Sequence, residues 1–409
     1  MVGQVDSGLR WHSESVKIKA MAIPIRTAAL LSVAIINLRA ADEYQRRVDT
    51  VRKTPGFVAL WDFVKRDGGR FDAWKGRGET HDFRLDAVNY VRDYWGEGRE
   101  ATYEDFPLMG SGPFGQAVQF RKETDADFRP CLLVPRARLH DSGLDVKGPG
   151  RSVSMAVWLM RESGNHAIAG IWHEGTDLQE KGAAVKRVEH GMRQYALFAG
   201  LAANNGASAA HVSENGAKSF GDKYARNLAT TPEVIGAGWN VVAFTFDNAK
   251  NTVTAYLNGV ATDYWIDNPQ KHAFFQWPAK GWADGTYRPP EGKPLRRQVV
   301  ERRGEERVEL QEFRFTKVRV TLRGKQVLKR ELVALKANPY WFAHDLYSPK
   351  ELADGGPFTI GRVIHTSRSV GTTGHIGGVA VFGRALSPKD MARLAAIGKS
   401  APIATPAVP

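Results

Sequence analysis

The sequence predicts an all-β protein: a two-sheet antiparallel jelly-roll sandwich with loop and hairpin insertions and a short C-terminal helix. Three observations carry this. Short segments alternate apolar and polar residues with the period of two that a half-buried strand requires, Val153, Met155, Val157 and Leu159 being the clearest set. Turn signals recur between such segments, with Asn258-Gly259 the strongest. The composition, with 41 Gly and 11 Trp, favours strands joined by turns over a helical bundle.

The elements follow in chain order. Lys17, Lys19 and Arg26 precede the apolar run Ala28–Ile36, and Leu38-Arg39-Ala40 follows it. That is the layout of a signal peptide over residues 1–40, reading best from Met21, with cleavage between Ala40 and Ala41. The run is far short of the roughly 20 residues that span a bilayer. No later stretch is long enough either, so the mature chain is expected to have no transmembrane span. Residues 41–54 read as a short charged helix or lead-in. The main domain, 55–398, opens on the strand Pro55–Phe63, and residues 64–112 read as polar, Gly-rich loop. Strands are expected at Gly115–Phe120, Arg151–Met160, Ala167–Trp172 and Gln194–Leu201. The best hairpin runs from Trp239 to Val260, with Val242, Phe244 and Phe246 on one face and a turn at Asp247–Asn251.

Residues 264–294 are rich in aromatics, Pro and Gly and read as a long ordered loop. Residues 296–355 form a second insertion, with a hairpin over Glu309–Leu335 that turns at Arg323-Gly324-Lys325. Two closing strands lie within 357–384. Ser387 then caps a helix with Pro388 in its first turn and Gly398 ending it. An extended, mobile tail is expected over 399–409.

The net charge is +13, and between Arg296 and Arg330 twelve Lys/Arg face five Glu. Such a balance attracts acidic polymers and surfaces. No recognisable nucleic-acid module accompanies it, and the local reading is a solvated hairpin with mixed charges. The single cysteine, Cys131, excludes an intramolecular disulfide and a multi-cysteine metal site. Its apolar setting, Pro130–Pro135, marks it as a buried structural thiol.

Five blocks together resemble bacterial laminin-G-like jelly rolls of the concanavalin-A-like lectin/glucanase type. They are Phe57–Phe63, Gly115–Phe120, Ser152–Trp158, the pair Gly238–Asp247 and Thr254–Gly259, and Gly374–Pro388, in the family's order. The resemblance implies two antiparallel sheets packed face to face, with ligands on a concave face or on rim loops. It does not imply one function.

Glucanases of this group carry two carboxyl groups on one strand, about 5–5.5 Å apart in retaining enzymes. The nearest match here, Glu123-Thr-Asp125-Ala-Asp127, has Asp where the second Glu should stand and follows a strand as a turn would. No catalytic residue is assigned. No cofactor is expected, with Ca²⁺ the one candidate: Asp125, Asp127 and Asp247 offer loop oxygens. For ligand contact the candidates are Trp172, His173, Glu174, His211, Glu214 and Tyr224, with Trp265, Trp277 and Trp282 from the aromatic loop. Sugars are held by acceptors and donors beside an aromatic platform, which is what these residue types supply. The expectation is therefore an exported binding module, secreted, periplasmic or in the cell envelope, that recognises carbohydrate or a cell-surface protein. The alternatives are a carbohydrate-active enzyme with a non-standard acid site and a structural envelope protein.

Overall fold

The computed structural model describes residues 40–162, 166–173, 192–200, 206–216, 227–364 and 371–405. Two antiparallel sheets make the sandwich. The nine-stranded sheet runs Tyr340–Trp341, Thr252–Leu257, Asn240–Asp247, Val153–Arg161, Gly374–Phe382, Phe57–Trp61 and Trp74–Lys75. The strand Ala117–Phe120 pairs on Gly374–Phe382 and carries Leu108–Met109. The seven-stranded sheet runs Asn227–Val234, Ala207–Gly216, Met192–Ala199, His166–His173, Phe358–Ile360, Pro130–Val134 and Asp86–Asn89. The chain passes repeatedly from one sheet to the other, as a jelly roll requires.

Val153, Met155, Val157 and Leu159 point into the main core between the sheets, as their alternation predicts. Two aromatic pairs bridge the layers: Tyr195 meets Phe244 at 6.2 Å between centroids, and Trp61 stacks on Phe358 at 5.2 Å. The predicted hairpin is present. Asn258 and Gly259 both take positive φ, 52° and 81°, and Leu257 and Val260 exchange backbone hydrogen bonds across them.

The other face of the nine-stranded sheet is also buried. Leu60, Ala156, Trp158, Val241 and Ala243 pack beneath two helices, one over residues 40–52 and one over Pro388–Lys399. Tyr44, Val48 and Val51 come from the first, and Met391, Leu394, Ala395 and Ile397 from the second. The Tyr44 hydroxyl donates to Asp62 Oδ2 at 2.8 Å, joined there by Trp74 Nε1–H at 2.7 Å. Arg47, 4% exposed, donates to the carbonyls of Pro113 and Ala401. The stretch read as a short charged helix or lead-in is thus a helix, and it forms a roof on the sandwich.

Several expectations need correction. The C-terminal helix does start at Ser387, whose hydroxyl accepts from Asp390 N–H, but it runs through Gly398 to Lys399. Gly398 is there for space: a Cβ would lie 2.6 Å from Val241 Cγ2. Beyond it, Ile403–Ala404 pairs with Ser111–Gly112, so this part of the tail is a strand and not a mobile end. Residues 64–112 hold short strands and the helix Tyr90–Trp95, capped by the Asn89 side chain. The insertion hairpin is part of a larger meander: Arg296–Arg303, Glu306–Glu312, Thr316–Arg323 and Gln326–Asn338 form a sheet with Tyr264–Asp267. Residues 264–294, read as a loop, contain the helix Gln276–Asp284. Pro278 and Gly281 concealed it. Pro278 lies in the first turn, where a missing N–H breaks no intrahelical bond. No described helix is long and apolar enough to cross a membrane.

Candidate functional site

The helix Gln276–Asp284 lies against the meander sheet. No side chain caps it through the usual residue; instead His272 Nδ1 accepts the N–H groups of Phe274 and Phe275, at 3.2 and 3.4 Å. Burial pushes the His272 imidazole below its ordinary pKa, in keeping with an acceptor nitrogen. Gly285, at φ 87°, ends the helix in the left-handed region. Phe275 and Tyr287 fix both ends against Tyr340, at 6.3 and 5.9 Å. These rings anchor the segment. The tryptophans are left to face the sheet.

The strand Gln326–Asn338 forms the opposite wall. Tyr264–Asp267 pairs with it only as far back as Ala334, so Arg330–Val333 has no strand neighbour on that side. Asn268 N–H and Gln270 Nε2 instead donate to the carbonyls of Val333 and Leu332, at 2.9 and 2.8 Å. The result is a cleft of about 610 Å³ between helix and sheet. Trp277, Trp282, Lys280, Arg319 and Arg330 line it, together with Glu331. Trp282 rests on the small apolar cluster of Phe313, Val318, Val320 and Leu322, with the Arg330 guanidinium 5.7 Å over its ring. Trp277 Nε1–H is buried and meets no acceptor among the described residues. Two tryptophans named from sequence therefore share one cleft with two arginines that charge counting had assigned to a solvated hairpin.

The other candidates lie elsewhere. Trp265 is held between Lys317 and Lys336, whose Nζ atoms stand 4.5 and 5.1 Å from its ring centroid. Trp172, Phe198 and His211 form a buried ring cluster, with His211 4.7 Å from Phe198 and 5.6 Å from Trp172. Residue type had offered Trp172 and His211 to a ligand; their rings pack on one another and on Phe198. His173 lines a pocket of about 510 Å³, its Nδ1 3.2 Å from Met192 Sδ. Glu214 lines a third cleft, of about 320 Å³, with Tyr287, Trp341 and His344. Its Oε2 accepts from Asn227 Nδ2 at 2.8 Å, and Asn227 Oδ1 accepts from the buried Tyr340 hydroxyl at 3.2 Å. Burial pushes that hydroxyl well above its ordinary pKa. Glu174 and Tyr224 lie outside the described residues.

The calcium candidates are each engaged locally. Asp125 Oδ1 accepts from Asp127 N–H at 2.8 Å, and Asp247 Oδ2 from Lys250 Nζ at 2.8 Å. Among the described residues the trio with ligand atoms within 4.8 Å of one another is His140, Asp141 and Asp145. Lys147 Nζ already sits 2.7 Å from both of its carboxylates. Cys131 is buried, and desolvation pushes its thiol up to about 12.

No family model matches the sequence, and no curated protein matches it. Among solved structures the chain is similar to domain 4 of AbnA, a GH43 extracellular arabinanase from Geobacillus stearothermophilus, in complex with arabinotriose. Identity is 11%, the TM-score 0.38, and the match covers 84% of this chain and 100% of that one. A botulinum neurotoxin type C structure, described as dependent on two ganglioside molecules for cell entry, matches at 9% identity and TM-score 0.35, over 85% of this chain and 52% of that one. The serotype D ligand-binding domain in complex with N-acetylneuraminic acid matches at 8% identity and TM-score 0.33, over 83% and 50%. This chain thus spans about half the length of the neurotoxin chains it matches. The fold assignment rests on the strand pairing itself.

Proposed function

We propose that the protein is a carbohydrate-binding module and that its sugar site is the cleft between the helix Gln276–Asp284 and the meander sheet. One observation carries the reading: Trp277 and Trp282 line a single open cleft together with polar side chains. Indole faces stack on the C–H faces of sugar rings, and neighbouring polar groups fix the hydroxyls. Gln270 and Gln276 suit the second task. Their amide nitrogens donate to the carbonyls of Leu332 and Ala273, leaving oxygens that accept hydroxyl protons.

Calorimetric titration against a panel of soluble oligosaccharides tests this. Trp282→Ala is expected to weaken binding at least about tenfold, the worth of one stacked ring in a desolvated site. A protein that binds no glycan, or whose glycan binding survives both Trp277→Ala and Trp282→Ala, defeats the assignment. A cell-surface protein captured through the same cleft would replace sugar as the ligand.

Export belongs to the same proposal. The basic and apolar segments before Ala40 support it. N-terminal sequencing of secreted protein should read from Ala41. Retention of the whole chain in the cytoplasm would count against export.

A further inference from the structure

We propose that the ligand of the Trp277–Trp282 cleft is an anionic glycan, carrying carboxylate or sulfate groups; this rests on the carbohydrate reading of the same cleft. The charge inventory of its walls is the reason. Lys280, Arg319 and Arg330 line the cleft against one carboxylate, Glu331. Arg330 is matched by an ion pair with Glu291, and Glu331 by Lys329 at 2.9 Å. Arg319 stands opposite Glu331 in the strand register, yet makes no ion pair with a described residue. Asp284, one turn beyond Lys280, feels its field, but the carboxylate is turned to Thr286, accepting from its N–H at 3.0 Å and its hydroxyl at 2.7 Å. Two cations among the lining residues therefore lack a matching acid.

Donors exceed acceptors for a second, independent reason. Trp277 Nε1–H is buried without an acceptor, and a neutral donor in that state gains most from an acceptor-rich ligand. A planar guanidinium such as Arg319 offers a fork of N–H groups that a carboxylate or sulfate meets with two parallel bonds. Nucleic acid is the other polyanion. It tracks a continuous basic groove across successive bases. Here the uncompensated charge is confined to two side chains in one cleft whose glutamine oxygens suit hydroxyls.

The test uses the full chain and five probes: oligogalacturonate, a heparin-derived hexasaccharide, methyl-esterified oligogalacturonate, arabino-oligosaccharide and oligo-dT. At least one acidic glycan should bind about tenfold or more tightly than the neutral pair, the worth of one charge-assisted contact. Arg319→Gln should remove about that factor for the acidic probe, weaken neutral binding less, and leave the melting temperature unchanged. Arg319 is exposed, so the variant is expected to fold. Lys280→Gln gives a second, independent reading of the same term. Equal affinity for acidic and neutral glycans overturns the charge inference and leaves the carbohydrate reading standing. Binding of none of the four glycans overturns both, as does preference for oligo-dT.

Discussion

Arg136 holds Asp145 through two hydrogen bonds, Nη1 to Oδ1 at 2.7 Å and Nη2 to Oδ2 at 2.9 Å, with both side chains buried. Gln194 Nε2 adds a third at 3.2 Å, which ties the segment to the seven-stranded sheet. Burial alone would raise the Asp145 pKa; the Arg136 and Lys147 contacts outweigh it and hold the carboxyl below its usual range. Removing one partner of such a pair leaves a buried charge uncompensated, so Asp145→Asn should cost about 3–5 kcal/mol in urea unfolding. A depressed folded pKa means the pair's contribution is complete above the ordinary carboxylate value, about 3.9, and is lost as pH falls through the lower folded value. Stability should therefore fall more steeply on acidification in the wild type than in Asp145→Asn. Parallel pH profiles would refute the assignment.

Gly398 offers a test whose sign discriminates. An alanine in a helix interior normally gains about 1 kcal/mol over glycine. Here the added Cβ would fall 2.6 Å from Val241 Cγ2 and 3.3 Å from Trp158 Cδ1, both on fully packed side chains. Gly398→Ala is expected to destabilise by about 1–3 kcal/mol, the usual cost of overpacking. A higher melting temperature would show that helix and sheet are not in this contact.

Cys131 should be chemically silent in the native state. Its thiol is fully buried and raised to about 12, so the thiolate that reacts with disulfide reagents is scarce at neutral pH. Ellman's reagent should titrate no thiol in the folded protein at about pH 8 and one after unfolding in guanidinium; the free thiol's pKa is near 8.5. Rapid native labelling would place Cys131 at an accessible surface.

The strands were legible because their alternation reports a half-buried face, as Val153–Leu159 does on the core side. Trp158 and Ala156, on the other side of the same strand, are buried too, and nothing local reveals what covers them. That cover is a helix more than 100 residues earlier and another more than 200 residues later, which only tertiary structure brings together. The cleft was half legible for the same reason. Trp277 and Trp282 stand out as residue types, whereas Arg319 and Arg330 looked like ordinary surface charge until the sheet that carries them proved to be the opposite wall. Trp172 and His211 show the converse failure. Their residue types suit a ligand, but nothing local says that each ring is packed against the other and against Phe198.

The roof helix makes the position of any N-terminal cut consequential. Val48 and Val51 are fully buried against the nine-stranded sheet, and Arg47 reaches the carbonyls of Pro113 and Ala401. Val48→Asp would place a carboxylate there with no built partner, and it should cost more than about 3 kcal/mol, the scale of an unpaired buried charge. The exposed Lys53→Asp change, in the turn that follows the same helix, should stay within about 1 kcal/mol. If the two variants melt alike, the helix is not a structural part of the sandwich. Cleavage between Ala40 and Ala41 leaves Tyr44, Val48 and Val51 in place. A chain started at Thr54 would expose the face of Leu60, Ala156 and Trp158, and should bind the dye ANS and aggregate, whereas a chain started at Ala41 should do neither.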